Sequence, residues 1–117
     1  MQTMSLDELR QWRRQKKDFL LLDVLDDSQF QQGHVPGSRS APVALPDFEQ
    51  QVARQAGRKD RPVVVYCASM TCDASTRAAR RLEDAGFTDV HDFKGGMKTW
   101  QEAGEAVESL NQAGSGG

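Results

Sequence analysis

Cys67 and Cys72 are the two cysteines of the chain, and Cys67 follows directly on Val63-Val64-Val65-Tyr66. Four β-favouring residues in a row suit a strand buried on both faces. The sequence then turns polar, Ala68-Ser69-Met70-Thr71-Cys72-Asp73, and becomes helical after Ser75, with Ala78, Leu82 and Ala85 at i, i+4 and i+7. Cys67 is therefore expected where a buried strand ends and a helix is about to begin. Unpaired amides of such a loop and of a helix N-terminus favour an anion, and can bring a thiol pKa from about 8.5 into roughly the 3.5–7.5 range. The expected chemistry is that of a nucleophilic thiolate.

Size and composition narrow the classes. At 117 residues the chain has the length of one domain with one core. Residues 1–110 are expected to form it, with Gly114-Ser115-Gly116-Gly117 ending a disordered tail over 111–117. A net charge of −2 argues against nucleic acid or an anionic membrane as the main partner. The apolar run Phe19 to Leu22 is too short for a membrane span or signal-peptide core, so the chain reads as soluble and cytoplasmic. Two close cysteines build no extracellular disulfide framework. His34 and His91 lie at no metal-ligand spacing from them, so no metal and no cofactor are expected.

The elements that must position Cys67 can be read in order. Ser5-Leu6-Asp7-Glu8 is a capping box and predicts a helix with Leu6, Leu9 and Trp12 inward. Phe19 to Val24 reads as a buried strand, and Asp23 near its end as an acceptor holding loop amides. Asp26 to Gln32 predicts a helical turn carrying Phe30. The segment from Gly33-His34-Val35-Pro36-Gly37 to Ala41-Pro42 then forms a shaped turn around at most one short strand, in which His34 reads as a loop-fixing hydrogen bonder and not a general base. Pro46 to Ala56 predicts a second helix with Phe48, Val52 and Ala56 buried. The helix after the cysteine loop should stop at Gly86, with Phe87 making the apolar contact of a Schellman cap. Thr88 to Phe93 reads as a strand, Gly95-Gly96 as a tight turn, and Met97 to Ala103 as a last helix. Alternating strands and helices at these spacings predict an α/β fold, a mostly parallel central sheet with helices on both faces. Ligands bind outside the carboxyl ends of such strands, where Cys67 lies.

These features together resemble the single-domain rhodanese-like sulfurtransferases. The resemblance runs from about Ser5 to Gly104. It rests on Leu21-Leu22-Asp23-Val24, on Phe30 followed by Gly33-His34-Val35-Pro36-Gly37-Ser38, on Ala41-Pro42, on Val63 to Cys67, on Ser75 with Ala78, Ala79 and Leu82, and on Gly86-Phe87 and Gly95-Gly96-Met97 with Trp100. By position it implies that Cys67 is the nucleophile and that Ala68 to Ala74 form the active-site loop. The usual family loop is cysteine, two residues, glycine, one residue, arginine, then Ser or Thr. Ser75 matches that Ser, but the loop before it is two residues longer, Ala74 holds the arginine position, and Cys72 is added. The pattern is similar to a variant with a Cys-x-x-x-x-Cys loop.

The resemblance implies a thiolate that takes sulfane sulfur from a donor such as thiosulfate and hands it, through a persulfide, to a thiol or protein acceptor. The anion-binding groups would be the amides from Ala68 through Ser69, Met70 and Thr71 to Asp73, with the Ser69, Thr71 and Ser75 hydroxyls. Arg77 is either a substitute clamp or part of a solvated helix face. Cys72 is either a small packing residue or a resolving thiol that attacks an adduct on Cys67. Two other functions compete. One is a non-catalytic or redox-sensing interaction module using Cys67 and Cys72. The other is oxyanion chemistry of the phosphatase or arsenate reductase type, which the missing loop arginine disfavours.

Overall fold

The computed structural model describes residues 1–110; the expected disordered tail lies outside the described residues. Its strands are β1 (Gln2–Thr3), β2 (Leu20–Asp23), β3 (Arg39–Ser40), β4 (Val63–Tyr66) and β5 (Val90–Phe93). Its helices are α1 (Leu6–Arg14), α2 (Asp27–Gln32), α3 (Phe48–Ala56), α4 (Ala74–Asp84) and α5 (Gly96–Glu102). The strands form one sheet in the order β1-β5-β4-β2-β3, every pairing parallel.

β4 takes the centre because it is apolar on both faces. Successive strand side chains point to opposite sides. Val63, Val65 and then Cys67 pack with Phe48 and Val52 of α3 and with Ala78 and Leu82 of α4. Val64 and Tyr66 pack on the other side with Leu9 of α1 and with Met97 and Trp100 of α5. Each such Val or Leu contributes roughly 1.5–3 kcal/mol on burial, so these two layers hold β4 and the residue after it in place. The expected parallel sheet with helices on both faces is what forms.

The helix ends follow their local chemistry. At α1, Glu8 N–H donates to Ser5 Oγ and Ser5 N–H to Glu8 Oε1, each at 3.1 Å. At the end of α4, Phe87 N–H donates to the Leu82 carbonyl and Gly86 N–H to that of Glu83, both at 3.0 Å, with Gly86 at φ 99°. That is the Schellman arrangement. One expectation is corrected and one element is new. α3 begins at Phe48 and not at Pro46, because Phe48 N–H closes a turn on the Leu45 carbonyl at 3.1 Å. Gln2–Thr3 adds an edge strand that exposed polar residues did not announce; Met4 anchors it, buried and donating its N–H to the Asp92 carbonyl at 2.9 Å.

Candidate active site

The parallel register sets the ends of β2, β4 and β5 side by side, with Tyr66 paired to Asp23 on one side and Phe93 on the other. Cys67 leaves the sheet at this edge, fully buried. Its thiol points to the Cys72 carbonyl at 3.3 Å and to Ser75 Oγ at 3.5 Å, with the Ser69 carbonyl farther off at 3.9 Å. A turn between Ser69 and Cys72 returns the chain, Cys72 N–H donating to the Ser69 carbonyl at 3.1 Å. Across its mouth the Ser69 and Thr71 hydroxyls meet at 3.0 Å.

A second helix grips the loop through space. Met97 N–H donates to the Cys67 carbonyl at 2.9 Å and Lys98 N–H to the Ala68 carbonyl at 2.8 Å. These are free amides of the first turn of α5, which have no partner within their own helix. The approach needs Gly96: its φ is 62°, and a Cβ there would lie 2.3 Å from the Cys67 oxygen. Gly96, in the pair expected as a tight turn, is the surface on which the cysteine loop rests.

The two thiols titrate as a pair. Burial pushes the Cys67 thiol up, a hydrogen bond given to Cys72 pushes it further, and the hydroxyl and N–H of Ser75 oppose both. At Cys72 burial also acts upward, but it is outweighed by the hydrogen bond from Cys67 and the N–H groups of Ala74 and Ala68, which hold this thiol below its usual range. The expected depression at Cys67 is therefore corrected. The N–H groups of Ala68 and Ala74 favour a thiolate on Cys72, and burial keeps the proton on Cys67.

Of the residues expected in the site, the structure brings together Cys67, Cys72, Ala68, Ala74 and Ser75. Ser69 is half-buried beside them, whereas Met70, Thr71 and Asp73 face solvent. Arg77 is not brought in: it is exposed and pairs with Asp73 at 3.3 Å along its own helix. Asp23 accepts the Leu25 N–H at 3.0 Å as expected; burial pushes its carboxyl up to about 6. His34 also fixes its loop, with Nδ1 2.7 Å from the Phe30 carbonyl and its ring stacked on Phe30.

Sequence reasoning missed the grip by Gly96, Met97 and Lys98. It also missed the tie between α4 and β5, in which Thr76 donates to buried Asp92 at 2.8 Å while Lys94 donates to Thr76 at 3.0 Å. The usable signal was the glycine pair after a strand that neighbours β4. Two clefts flank the loop, one of about 200 Å³ at Ser69, Met70, Thr71 and Lys98, the other of about 330 Å³ at Ala68, Gln29, Gln32 and Met97.

The family model described as the rhodanese-like domain matches residues 5–103. The chain belongs to the rhodanese-like domain family. Among curated relatives, it is 32% identical over 100 residues to the protein YqhL of Bacillus subtilis, covering 86% of this chain and 72% of that one. It is also 32% identical to "Thiosulfate sulfurtransferase GlpE" of Pseudoalteromonas translucida, covering 80% and 84% of the two chains. Among solved structures, the Alr3790 protein of Anabaena superposes with a TM-score of 0.80 at 28% identity, over 92% of each chain. Among the described residues no helix is long and apolar enough to cross a membrane, and no group of three or more His, Cys, Asp or Glu is arranged to hold a metal ion.

Proposed function

We propose that this rhodanese-like chain is a sulfurtransferase that carries sulfane sulfur as a persulfide on Cys67. The observation that carries the reading is the placement of Cys67 at the carboxyl end of the central strand, its sulfur held between the Cys72 carbonyl and the Ser75 hydroxyl. A relative named as a thiosulfate sulfurtransferase supports it. In the half-reaction, Cys67 first gives its proton to the Cys72 thiolate, and the Cys67 thiolate so formed attacks the outer sulfur of a donor such as thiosulfate. The donor's S–S bond breaks with its electron pair on the departing sulfite, and the outer sulfur stays on Cys67. A small thiol or a protein thiol then attacks that outer sulfur and carries it away.

The geometry bears on which donors are favoured. Ala74 stands at the position where the family pattern has an arginine, and Arg77 is engaged by Asp73, so a dianion meets hydroxyls and amides but no bidentate cation. We therefore read the longer loop as suited to persulfide or polysulfide donors at least as well as to thiosulfate. Cys67 is buried among the Ser69 and Cys72 carbonyls and the Ser75 hydroxyl, so a donor reaches its sulfur only when the loop opens.

Intact mass after incubation with thiosulfate or inorganic polysulfide tests the reading. The Cys72→Ser variant should gain one sulfur, and the Cys67→Ser, Cys72→Ser double variant none. Absence of any sulfur adduct with either donor would refute a carrier role for Cys67. The packing of Cys72 against the core cluster that contains Cys67 also favours a second reading, a redox-sensing module. Its mark would be a loss of two hydrogens on mild oxidation without any sulfane donor.

A further inference from the structure

The carrier reading leaves Cys72 without a task, although the loop folds back so that its backbone carbonyl reaches the Cys67 sulfur. The Ser69–Cys72 turn reverses the chain so that the Cys72 carbonyl lies 3.3 Å from the Cys67 sulfur. The Cys72 side chain packs against the core cluster that contains Cys67 and is itself half-buried, open toward solvent where the Cys67 sulfur is covered. A disulfide needs Cα atoms within about 7 Å, and the turn returns Cys72 to the core cluster at the strand end that Cys67 leaves.

We propose that Cys72 is the internal acceptor of the Cys67 persulfide, turned onto it by the Ser69–Cys72 turn, so that the domain releases hydrosulfide and closes a Cys67–Cys72 disulfide. The proposal rests on the persulfide carrier reading above. The Cys72 thiolate attacks the inner sulfur of the persulfide, the one bonded to the Cys67 Cβ. A Cys67–Cys72 bond forms, the bond between inner and outer sulfur breaks, and its electron pair leaves with the outer sulfur as hydrosulfide. The sulfane sulfur is reduced by two electrons, and the two cysteines supply them by becoming a disulfide. An external dithiol, attacking the disulfide by exchange, restores both thiols and is itself oxidised.

The electrostatics fit these roles. The attacking group in thiol–disulfide chemistry is the thiolate, and the amides of Ala74 and Ala68 favour it on Cys72. The leaving hydrosulfide departs from the Cys67 side, toward the exposed Met70-Thr71 segment. An acceptor thiol in solution must reach a buried sulfur, whereas Cys72 belongs to the same loop and packs against the same core cluster. Internal resolution therefore outruns transfer to a monothiol. The favoured co-substrate is a dithiol of the kind that reduces protein disulfides.

The test loads wild type and Cys72→Ser with inorganic polysulfide, removes the excess, and follows hydrosulfide and intact mass with no thiol added. Wild type should release one hydrosulfide per chain, lose two hydrogens relative to its reduced mass, and yield a linked Cys67–Cys72 peptide on digestion. Cys72→Ser should keep its added sulfur and release none, and Cys72→Ala should repeat that result if serine alters the loop. Wild type that holds its sulfur as long as Cys72→Ser overturns internal resolution and leaves the carrier role of Cys67 standing. A sulfur adduct on Cys67→Ser overturns the assigned order of the two cysteines. No adduct on Cys72→Ser overturns both readings together.

Discussion

Replacing Gly96 by alanine tests whether α5 holds the cysteine loop in place. Two independent penalties converge on this position. The backbone sits at φ 62°, a left-handed conformation that costs an L-residue about 1–2 kcal/mol. The added Cβ would lie 2.3 Å from the Cys67 carbonyl oxygen and within 3.0 Å of two further backbone carbons, so α5 and the loop must separate. Separation lengthens the bonds from Met97 N–H to Cys67 and from Lys98 N–H to Ala68, now 2.9 and 2.8 Å. Each such bond is worth roughly 0.5–1.5 kcal/mol net. Partial loss of both, added to the backbone term, gives an expected destabilisation of about 2–4 kcal/mol for Gly96→Ala. At about 4 °C per kcal/mol for a domain near this size, the melting temperature should fall by roughly 8–16 °C. Urea denaturation gives the first number, a thermal melt the second, and single-turnover sulfur loading of the Cys72→Ser background reports the loop. Loading should slow in the variant even at temperatures where it is fully folded. A Gly96→Ala protein within about 0.5 kcal/mol of wild type, loading sulfur at the same rate, would show that the grip is not needed.

The remaining predictions concern groups around the loop and the core. Asp23 in the folded chain keeps its proton to about 6 against an ordinary value of 3.8, so between these values the native state binds more protons and stability falls as pH rises. Above pH 6 the full penalty, on the order of 3 kcal/mol, stands. Asp23→Asn should abolish it, so urea midpoints at pH 4.5 and 7.5 should differ less in the variant; equal pH dependence in both proteins would count against a buried, proton-holding Asp23. Ser75→Ala removes a hydroxyl that lowers the Cys67 thiol, so alkylation of Cys67 in the Cys72→Ser background should slow at neutral pH, with its pH profile moving upward. Arg81 ties α4 to α3 by two bonds to Glu49, at 2.6 and 2.7 Å, and a third to the Val43 carbonyl. Arg81→Ala should lower stability by about 1–2 kcal/mol in urea, with little change in sulfur loading. The Arg81 bond also holds the Glu49 carboxyl below its usual range, so this contribution is present at neutral pH and fades as acid protonates Glu49.

What could be read from the sequence was what is written in adjacent residues. Val63 to Tyr66 is apolar at every position, so a doubly covered strand with Cys67 at its exit followed from composition alone. Ser5 with Glu8 and Gly86 with Phe87 are local hydrogen-bonding devices, complete within a few residues, and both formed as expected. Gln2–Thr3 failed the same approach because its strand pairing depends on β5 and a single anchoring Met4. The grip of α5 on the loop joins residues about thirty positions apart, and only the parallel order of β4 and β5 makes them neighbours. The thiol pair was misread for a related reason. A helix start does supply amides to both sulfurs, but burial outweighs them at Cys67 and not at Cys72, which the Ser69–Cys72 turn leaves partly exposed.

The bonds from Met97 and Lys98 to the carbonyls of Cys67 and Ala68 carry a consequence for how such a loop can be altered. Its entry is pinned by α5 and its exit by the packing of Ala74 and Ser75 into the core. Residues can thus be inserted, deleted or grafted between Ser69 and Asp73 with the backbone of Cys67 kept fixed. The chain thereby divides the task of placing Cys67 from that of choosing what reaches it, and a library of loops spliced at those two points would vary selectivity on a constant scaffold.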